Sequence, residues 1–330
     1  MKNFYGFSNE RKYLLDNYKN KSLANSIILY GQKGIGKRTF LDNLIIDFLN
    51  LNQNIHNIDH QINLVYKHSH PNIRYIHKEY DDKLKKFKKN ITINQIRNVF
   101  NFFYESTIDG ASKFIIIDST DDLNINASNS LLKILEEPTY NTFIFLISHN
   151  FSSLLPTLRS RCLKIKFKNH TYENFNKILN IKINNKNDEE NKFLYDLSNG
   201  SPGIALKLVD DDISNIYNDI IFSLINSDQL SEIDINLSLR LSKLDEDKFK
   251  IVISLFKFIL INLNKCKVGI NILDHYLSKN IENLMNASHK ISVSSIYNLF
   301  EYLIKNENDL FVYNLDKKNF ILNFLAQKEN

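Results

Sequence analysis

Short apolar runs alternate with amphipathic stretches through the first half of the chain. Residues 27–30 form an apolar run that ends in a glycine-rich turn, and an amphipathic segment follows from residue 38 to about residue 50. Residues 72–76, 114–117, 142–148 and 163–167 read as further strands. Residues 92–105 read as a helix with Thr92 as its N-cap and Gln95 three positions on, and residues 127–137 as a helix stopped by Pro138. Strands of this kind alternating with helices predict an α/β layer built on a parallel sheet.

The pattern changes at about residue 169, where strand-like runs give way to helical periodicity. Helices are predicted at 172–179, 189–197 and 204–209, with Gly200-Ser201-Pro202-Gly203 as a break between the last two. After Asp210-Asp211-Asp212 come longer helices at 214–226, 234–243, 247–263, 270–286 and 292–305. No fixed-period repeat is present. The expected organisation has three parts: an α/β domain over 1–168, a small helical module over 169–212, and a helical bundle over 213–330.

Composition fits a folded chain of this size. The chain has 330 residues, 43% of them hydrophobic and 24% charged, which excludes wholesale disorder. Eight glycines and four prolines argue against a turn-dense all-β chain. Cys162 and Cys266 are too few for a disulfide framework or a four-cysteine zinc site, and the cytoplasm is the expected compartment. Met1-Lys2-Asn3-Phe4-Tyr5 does not read as a signal peptide, and the apolar run 251–264 is too short and too interrupted by Lys257 to span a bilayer. The net charge is +5, but only seven of the 42 basic residues are arginine. With so many Asn and Ile codons, that skew reads as AT-rich coding more than as a nucleic-acid footprint.

The chemistry concentrates in three places. Gly31-Gln32-Lys33-Gly34-Ile35-Gly36-Lys37-Arg38-Thr39 follows a predicted strand and opens a predicted helix, the setting of a phosphate-binding loop. Gly31, Gly34 and Gly36 let backbone N–H groups curl around phosphate oxygens, and Lys37 adds a point charge. The pattern asks for Ser or Thr directly after the lysine to ligate Mg²⁺; Arg38 stands there and Thr39 comes one residue late. Whether the loop holds a nucleotide stays open. Second, Phe114-Ile115-Ile116-Ile117-Asp118 places Asp118 at a strand end, as in the metal-side carboxylate of loop ATPases. Ser119 follows where a water-orienting Glu would be expected, and Asp121 and Asp122 fall out of register unless the turn is unusual.

Third is Ala127-Ser128-Asn129-Ser130-Leu131-Leu132-Lys133-Ile134-Leu135-Glu136-Glu137-Pro138, with Leu155-Pro156-Thr157-Leu158-Arg159-Ser160-Arg161-Cys162 downstream. Together these segments closely resemble the bacterial clamp-loader subunits, AAA+ proteins that load the sliding clamp of DNA polymerase III. The likeness runs from about residue 4 to residue 209. Among the subunits it is nearest to the delta-prime type, from residues 154–162, Gly200-Ser201-Pro202-Gly203-Ile204-Ala205-Leu206, and the His70-Pro71 segment that lacks a zinc module.

The resemblance implies an AAA+ α/β domain, a helical lid and a C-terminal helical collar. It makes Arg161 an arginine finger, which reaches the γ-phosphate of ATP on a neighbouring subunit. It puts Ser148 and Asn150 near the position that senses phosphate, with satisfaction of the strand end as the other reading. Active members carry Ser or Thr after the loop lysine, Glu after the strand-end Asp, and Arg where Gly203 falls. With Arg38, Ser119 and Gly203 in those places, the resemblance implies a stator-like subunit that need not hydrolyse ATP. The rival readings are a hydrolysing gamma-type motor and a pure scaffold. The implied cofactor is ATP, with Mg²⁺ only where nucleotide binds, and no zinc. The implied partners are the gamma/tau and delta subunits in a pentameric ring, the sliding clamp and primer-template DNA, with no membrane. Arg97 is the DNA contact the resemblance suggests.

Smaller signals take bland readings. His56, His60, His68 and His70 read as surface histidines. Lys83, Lys85, Lys86, Lys88 and Lys89 read as a solvated loop, with a phosphate-backbone contact as the alternative. Phe100, Phe102, Phe103 and Tyr104 read as core.

Overall fold

The computed structural model describes residues 5–51, 58–83, 85–104, 111–183, 188–210, 213–225, 230–270 and 278–329. Its contacts divide the chain into two compact units, Met1–Ile178 and Leu179–Asn330.

The first unit runs α1 (Ser8–Lys19), β1 (Ser26–Tyr30), α2 (Lys37–Leu51), α3 (Ile58–Tyr66), β2 (Ile73–Ile76), β3 (Tyr80–Asp81), β4 (Lys86–Phe87), α4 (Ile93–Tyr104), β5 (Lys113–Asp118), α5 (Ile125–Glu136), β6 (Thr142–Ser148), α6 (Pro156–Ser160) and β7 (Leu163–Lys166), and α7 (Tyr172–Lys182) crosses the boundary. Five strands form one parallel sheet in the order β2-β5-β6-β1-β7. The apolar runs become its central strands because both faces are covered. On β5, Phe114 and Ile116 join the cluster that contains Phe40, Leu44 and Phe48 of α2. Ile115 and Ile117, one residue out of phase, join Ile96 and Phe103 of α4 and Leu131 and Ile134 of α5.

Polar groups secure the helix ends. Asn124 caps α5 by accepting from the Ala127 N–H at 2.8 Å. Gln95 reaches back to accept from the Thr92 N–H at 3.0 Å, the bond expected from their spacing. The buried Lys113 ammonium donates to the Phe102 and Phe103 carbonyls at 3.0 and 2.7 Å, placing a cation on the C-terminal end of α4.

The second unit is helical: α8 (Asp188–Leu197), α9 (Pro202–Asp210), α10 (Ile213–Ile225), α11 (Glu232–Ser242), α12 (Glu246–Lys267), α13 (Ser278–Lys290), α14 (Val293–Val312) and α15 (Lys317–Leu325). α12 packs against α13 and α14, α10 against α13, α11 against α15, and α8 against both α9 and α12. The expected helix at 270–286 starts at Ser278 among the described residues; positions 271–277 lie outside them. No helix among the described residues is long and apolar enough to cross a membrane.

The lysine-rich segment is not wholly a loop. β3 and β4 pair antiparallel as a small hairpin. Tyr104 also departs from the reading as core: Phe102 and Phe103 are buried, but Tyr104 at the end of α4 is exposed.

Candidate functional site

The glycine-rich segment turns between β1 and α2, at the carboxyl end of the sheet, where open α/β sheets bind ligands. At Gly31, φ is +154° and an added Cβ would lie 2.3 Å from the Phe167 carbonyl oxygen, so no larger residue fits. Gly34 and Gly36 take left-handed φ values of 82° and 89°. Ile35 is buried, and its carbonyl accepts from Nε2 of buried His170 at 2.9 Å, which fixes the proton on that nitrogen. Burial lowers the His170 pKa and keeps the ring neutral.

Lys37 is 2% exposed and donates to the Gly31 and Gln32 carbonyls at 2.6 and 2.7 Å. Burial brings its pKa down to about 8, against the opposing pull of Asp121 and Asp118. The next residue holds the arrangement together. Arg38 donates from Nε to Asp42 at 3.0 Å and from Nη1 to Asp118 at 3.4 Å; its Nη2 lies 3.0 Å from His68 Nε2. Its guanidinium stacks 4.2 Å from the ring centroid of Tyr75. Burial raises the Asp42 pKa while Arg38 opposes that rise, and burial raises the Tyr75 hydroxyl as well. Arg38, not Thr39, therefore faces Asp118; Thr39 lies exposed one position further round α2.

Asp121 is the residue the sequence reading set aside. A 3-10 turn at Thr120–Asp122 brings it back over the strand ends. Its carboxylate accepts from Ser119 Oγ at 3.1 Å, Ser148 Oγ at 2.8 Å, the His149 N–H at 2.5 Å, the Asn150 N–H at 3.2 Å and Ser153 Oγ at 3.3 Å. It thereby ties the end of β5 to the end of β6. Fully buried Ser148 spends its hydroxyl on this carboxylate, and Asn150 is exposed. The polar Ser148-His149-Asn150 cluster after an apolar strand was the available signal for such an anchor.

His149 titrates far from its usual range. Burial and the nearby Lys37 push its pKa down to about 4, and its Nδ1 is buried without a hydrogen-bond partner. An unfolded chain takes up this proton near pH 6.5, so unfolding binds a proton between those values. Stability is full above pH 6.5 and falls as the pH drops toward 4, by at most about 3 kcal/mol from this group. The melting temperature should therefore be lower at pH 4.5 than at pH 7, and His149→Gln should flatten that slope. An unchanged slope would remove His149 as the cause.

Arg161 follows α6, away from the loop's hydrogen-bond network. Its Nη2 pairs with Glu136 of α5 at 2.7 Å and its Nη1 donates to the Thr157 carbonyl at 3.1 Å. The side chain remains 36% exposed. The adjacent Cys162 is buried and its thiol is pushed up to about 12, which makes it a packing residue. Arg97 lies elsewhere again. With Lys133, Asn126, Asn129 and Ser130 it lines a cavity of about 480 Å³ between α4 and α5. Among the described residues no group of His, Cys, Asp and Glu has the arrangement of a metal site; His56 lies outside them.

The loop, Asp118, the Asp121 anchor and Arg161 all fall within residues 8–171, which match the family described as DNA polymerase III, delta subunit. Over these residues the chain is similar to the clamp-loader subunits of DNA polymerase III. It is 31% identical over 144 residues to DNA polymerase III subunit delta' of Pseudomonas aeruginosa, covering 43% of this chain and 42% of that one. A delta' subunit of Buchnera aphidicola is 32% identical over 168 residues, or 50% and 49% of the two chains. A Buchnera aphidicola gamma subunit is 33% identical over 122 residues, or 36% and 34%. The chain thus spans less than half the length of these relatives.

Proposed function

We propose that this chain is a delta-prime-type, non-motor subunit of the clamp loader, which supplies Arg161 in trans to a neighbour's ATP. The observation that carries this reading is the Arg38 guanidinium against Asp118. In a loop ATPase, a hydroxyl after the lysine and the strand-end aspartate hold Mg²⁺ between them. Here a permanent cation on the protein already bridges Asp118 and Asp42. The backbone of the loop fits a phosphate, but the donors beside it do not fit a metal. No hydrolytic step is therefore assigned to this chain's own loop, and Ser119 offers no base for one. A gamma-type motor is disfavoured on the same ground.

Arg161 suits action on a neighbour. Its fork is planar and always charged, and it is oriented by Glu136 and Thr157 while more than a third of the side chain stays open. Partners in this reading are the gamma/tau and delta subunits of a pentameric ring, the sliding clamp and primer-template DNA, in the cytoplasm. Val293, Tyr297 and Ile304 form an exposed apolar stripe along α14 that suits a collar contact. Arg97 of α4 and Lys133 in the last turn of α5, which line one cavity, suit contacts with DNA phosphates.

Titrating ATP into the isolated chain with and without Mg²⁺ tests the non-motor assignment. The account expects no Mg²⁺-dependent binding and no hydrolysis above the blank. Metal-dependent binding accompanied by turnover would make this chain a motor subunit.

A further inference from the structure

The β3–β4 hairpin takes no part in the site described above. Tyr80 and Phe87 face each other directly across its two strands. Their rings meet edge to face with centroids 5.3 Å apart, and both are open to solvent, at 51% and 61% exposure. Lys83, Lys85, Lys88 and Lys89 are exposed on the same short segment. Lys88 pairs with Glu79 at 2.7 Å; among the described residues Lys83, Lys85 and Lys89 form no ion pair. Asp81 and Asp82 are the acidic residues nearby, and the Asp81 side chain accepts from the Lys83 N–H at 3.0 Å.

A cross-strand aromatic pair contributes only about 0.2–1 kcal/mol to a sheet, and two-residue strands are too short to be stable alone. The hairpin is held at its root instead. Gln95 at the start of α4 donates to the His77 carbonyl at 2.9 Å, and Lys78 pairs with Asp122 at 3.1 Å. The Lys88 N–H donates to the Glu79 carbonyl at 2.8 Å. Two aromatic faces are thereby fixed in the open beside flexible ammonium groups. Lysine density alone would fit any polyanion. Exposed aromatics add a reason to prefer one whose residues carry π-faces.

We infer that this hairpin is a stacking platform for single-stranded nucleic acid: Tyr80 and Phe87 take unpaired bases, and Lys83, Lys85 and Lys89 take the adjoining phosphates. Such sites combine a positive surface with aromatic rings and are tolerant of sequence, because every base offers a face. The root of the hairpin lies at the N-terminal end of α4, the helix that also carries Arg97. Failure of this inference would leave the clamp-loader reading in place, since that reading rests on residues 8–171 and on Arg38.

The chain contains no tryptophan, so Phe87→Trp installs a reporter that is unique in the chain and preserves an aromatic face. The probe is a 20-nucleotide oligothymidylate, added to the full chain at low salt, with inorganic polyphosphate as the charge-only control. The emission of Phe87→Trp should be quenched by the oligonucleotide and not by polyphosphate. The double variant Tyr80→Ala/Phe87→Ala should bind a fluorescein-labelled oligothymidylate about tenfold or more weakly, with the wild-type melting temperature retained. Replacing Lys83, Lys85 and Lys89 by alanine should flatten the dependence of affinity on salt. Three results would overturn the inference: no quenching at saturating oligonucleotide, equal quenching by polyphosphate, or unchanged oligonucleotide affinity in the double variant. In the last case, a simultaneous loss of association with other loader subunits would make the hairpin a protein contact.

Discussion

Asp234→Ala is expected to destabilise the helical unit by about 3–5 kcal/mol, the cost of leaving a buried charge without its partner. Asp234 is fully buried at the first turn of α11. Its carboxylate receives the Lys328 ammonium at 3.2 and 3.1 Å, the Ser231 N–H at 3.0 Å and the Ser223 hydroxyl. Lys328 also donates to the Ser223 carbonyl at 2.6 Å, and its own carbonyl accepts from Ser295 Oγ at 2.9 Å. One carboxylate therefore caps α11 and binds residues from α10, the start of α11 and the segment after α15. Domains are stable by only about 5–15 kcal/mol, so the loss is a large fraction of the whole. Urea unfolding followed by circular dichroism would read it as an earlier transition in the helical unit. Asp234→Leu with Lys328→Met removes both charges and should recover part of the loss. A shift below about 1 kcal/mol for Asp234→Ala would mean that water reaches the pair and that it is not the anchor described.

The sheet was legible in the sequence because its strands are apolar throughout. Residues 142–148 carry seven positions buried in a row, and the strand has the bounds its apolar run predicts. The same logic located β1, β5 and the helices on either face. Three helices, α1, α3 and α15, were missed. α1 buries only Leu14 among polar neighbours, and its pattern gives no clear face. α3 and α15, nine residues each, were not predicted either. The hairpin was hidden by its lysines, since strands of two residues carry no alternation.

The candidate site was legible as a set of residues and not as a network. Glycine spacing announced the turn, and Lys37 and Asp118 announced its electrostatics. The sequence recorded Arg38 as a missing hydroxyl; only the fold reveals that its guanidinium reaches Asp118, 80 positions away. Asp121 falls out of register by counting along β5 unless the turn is unusual, and a single 3-10 turn folds it back onto β6. Ser148 was read as open to phosphate or satisfied by the strand end. Its bond to Asp121 supplies a third use that neither reading anticipated.

The central claim is that this chain works on a neighbour's nucleotide through Arg161 and not on its own through Lys37. Two bonds position the fork of Arg161, and neither closes it off from solvent. An arginine finger stabilises charge that develops on the transferring phosphoryl group, so its removal acts on turnover more than on assembly. Arg161→Ala breaks one half-exposed ion pair with Glu136, which costs at most about 1 kcal/mol of stability. The chain should therefore fold and assemble. At the site it serves, turnover should fall on the order of 10³-fold. Motor sites that receive other fingers keep their own rates, so the total falls by less. The decisive measurement is the DNA- and clamp-stimulated ATP hydrolysis of a loader reconstituted with the wild-type chain or with Arg161→Ala, with assembly checked by size-exclusion chromatography. The account predicts an intact assembly with one site silenced and a lower total rate. An intact assembly with an unchanged rate would contradict it and leave this chain a scaffold.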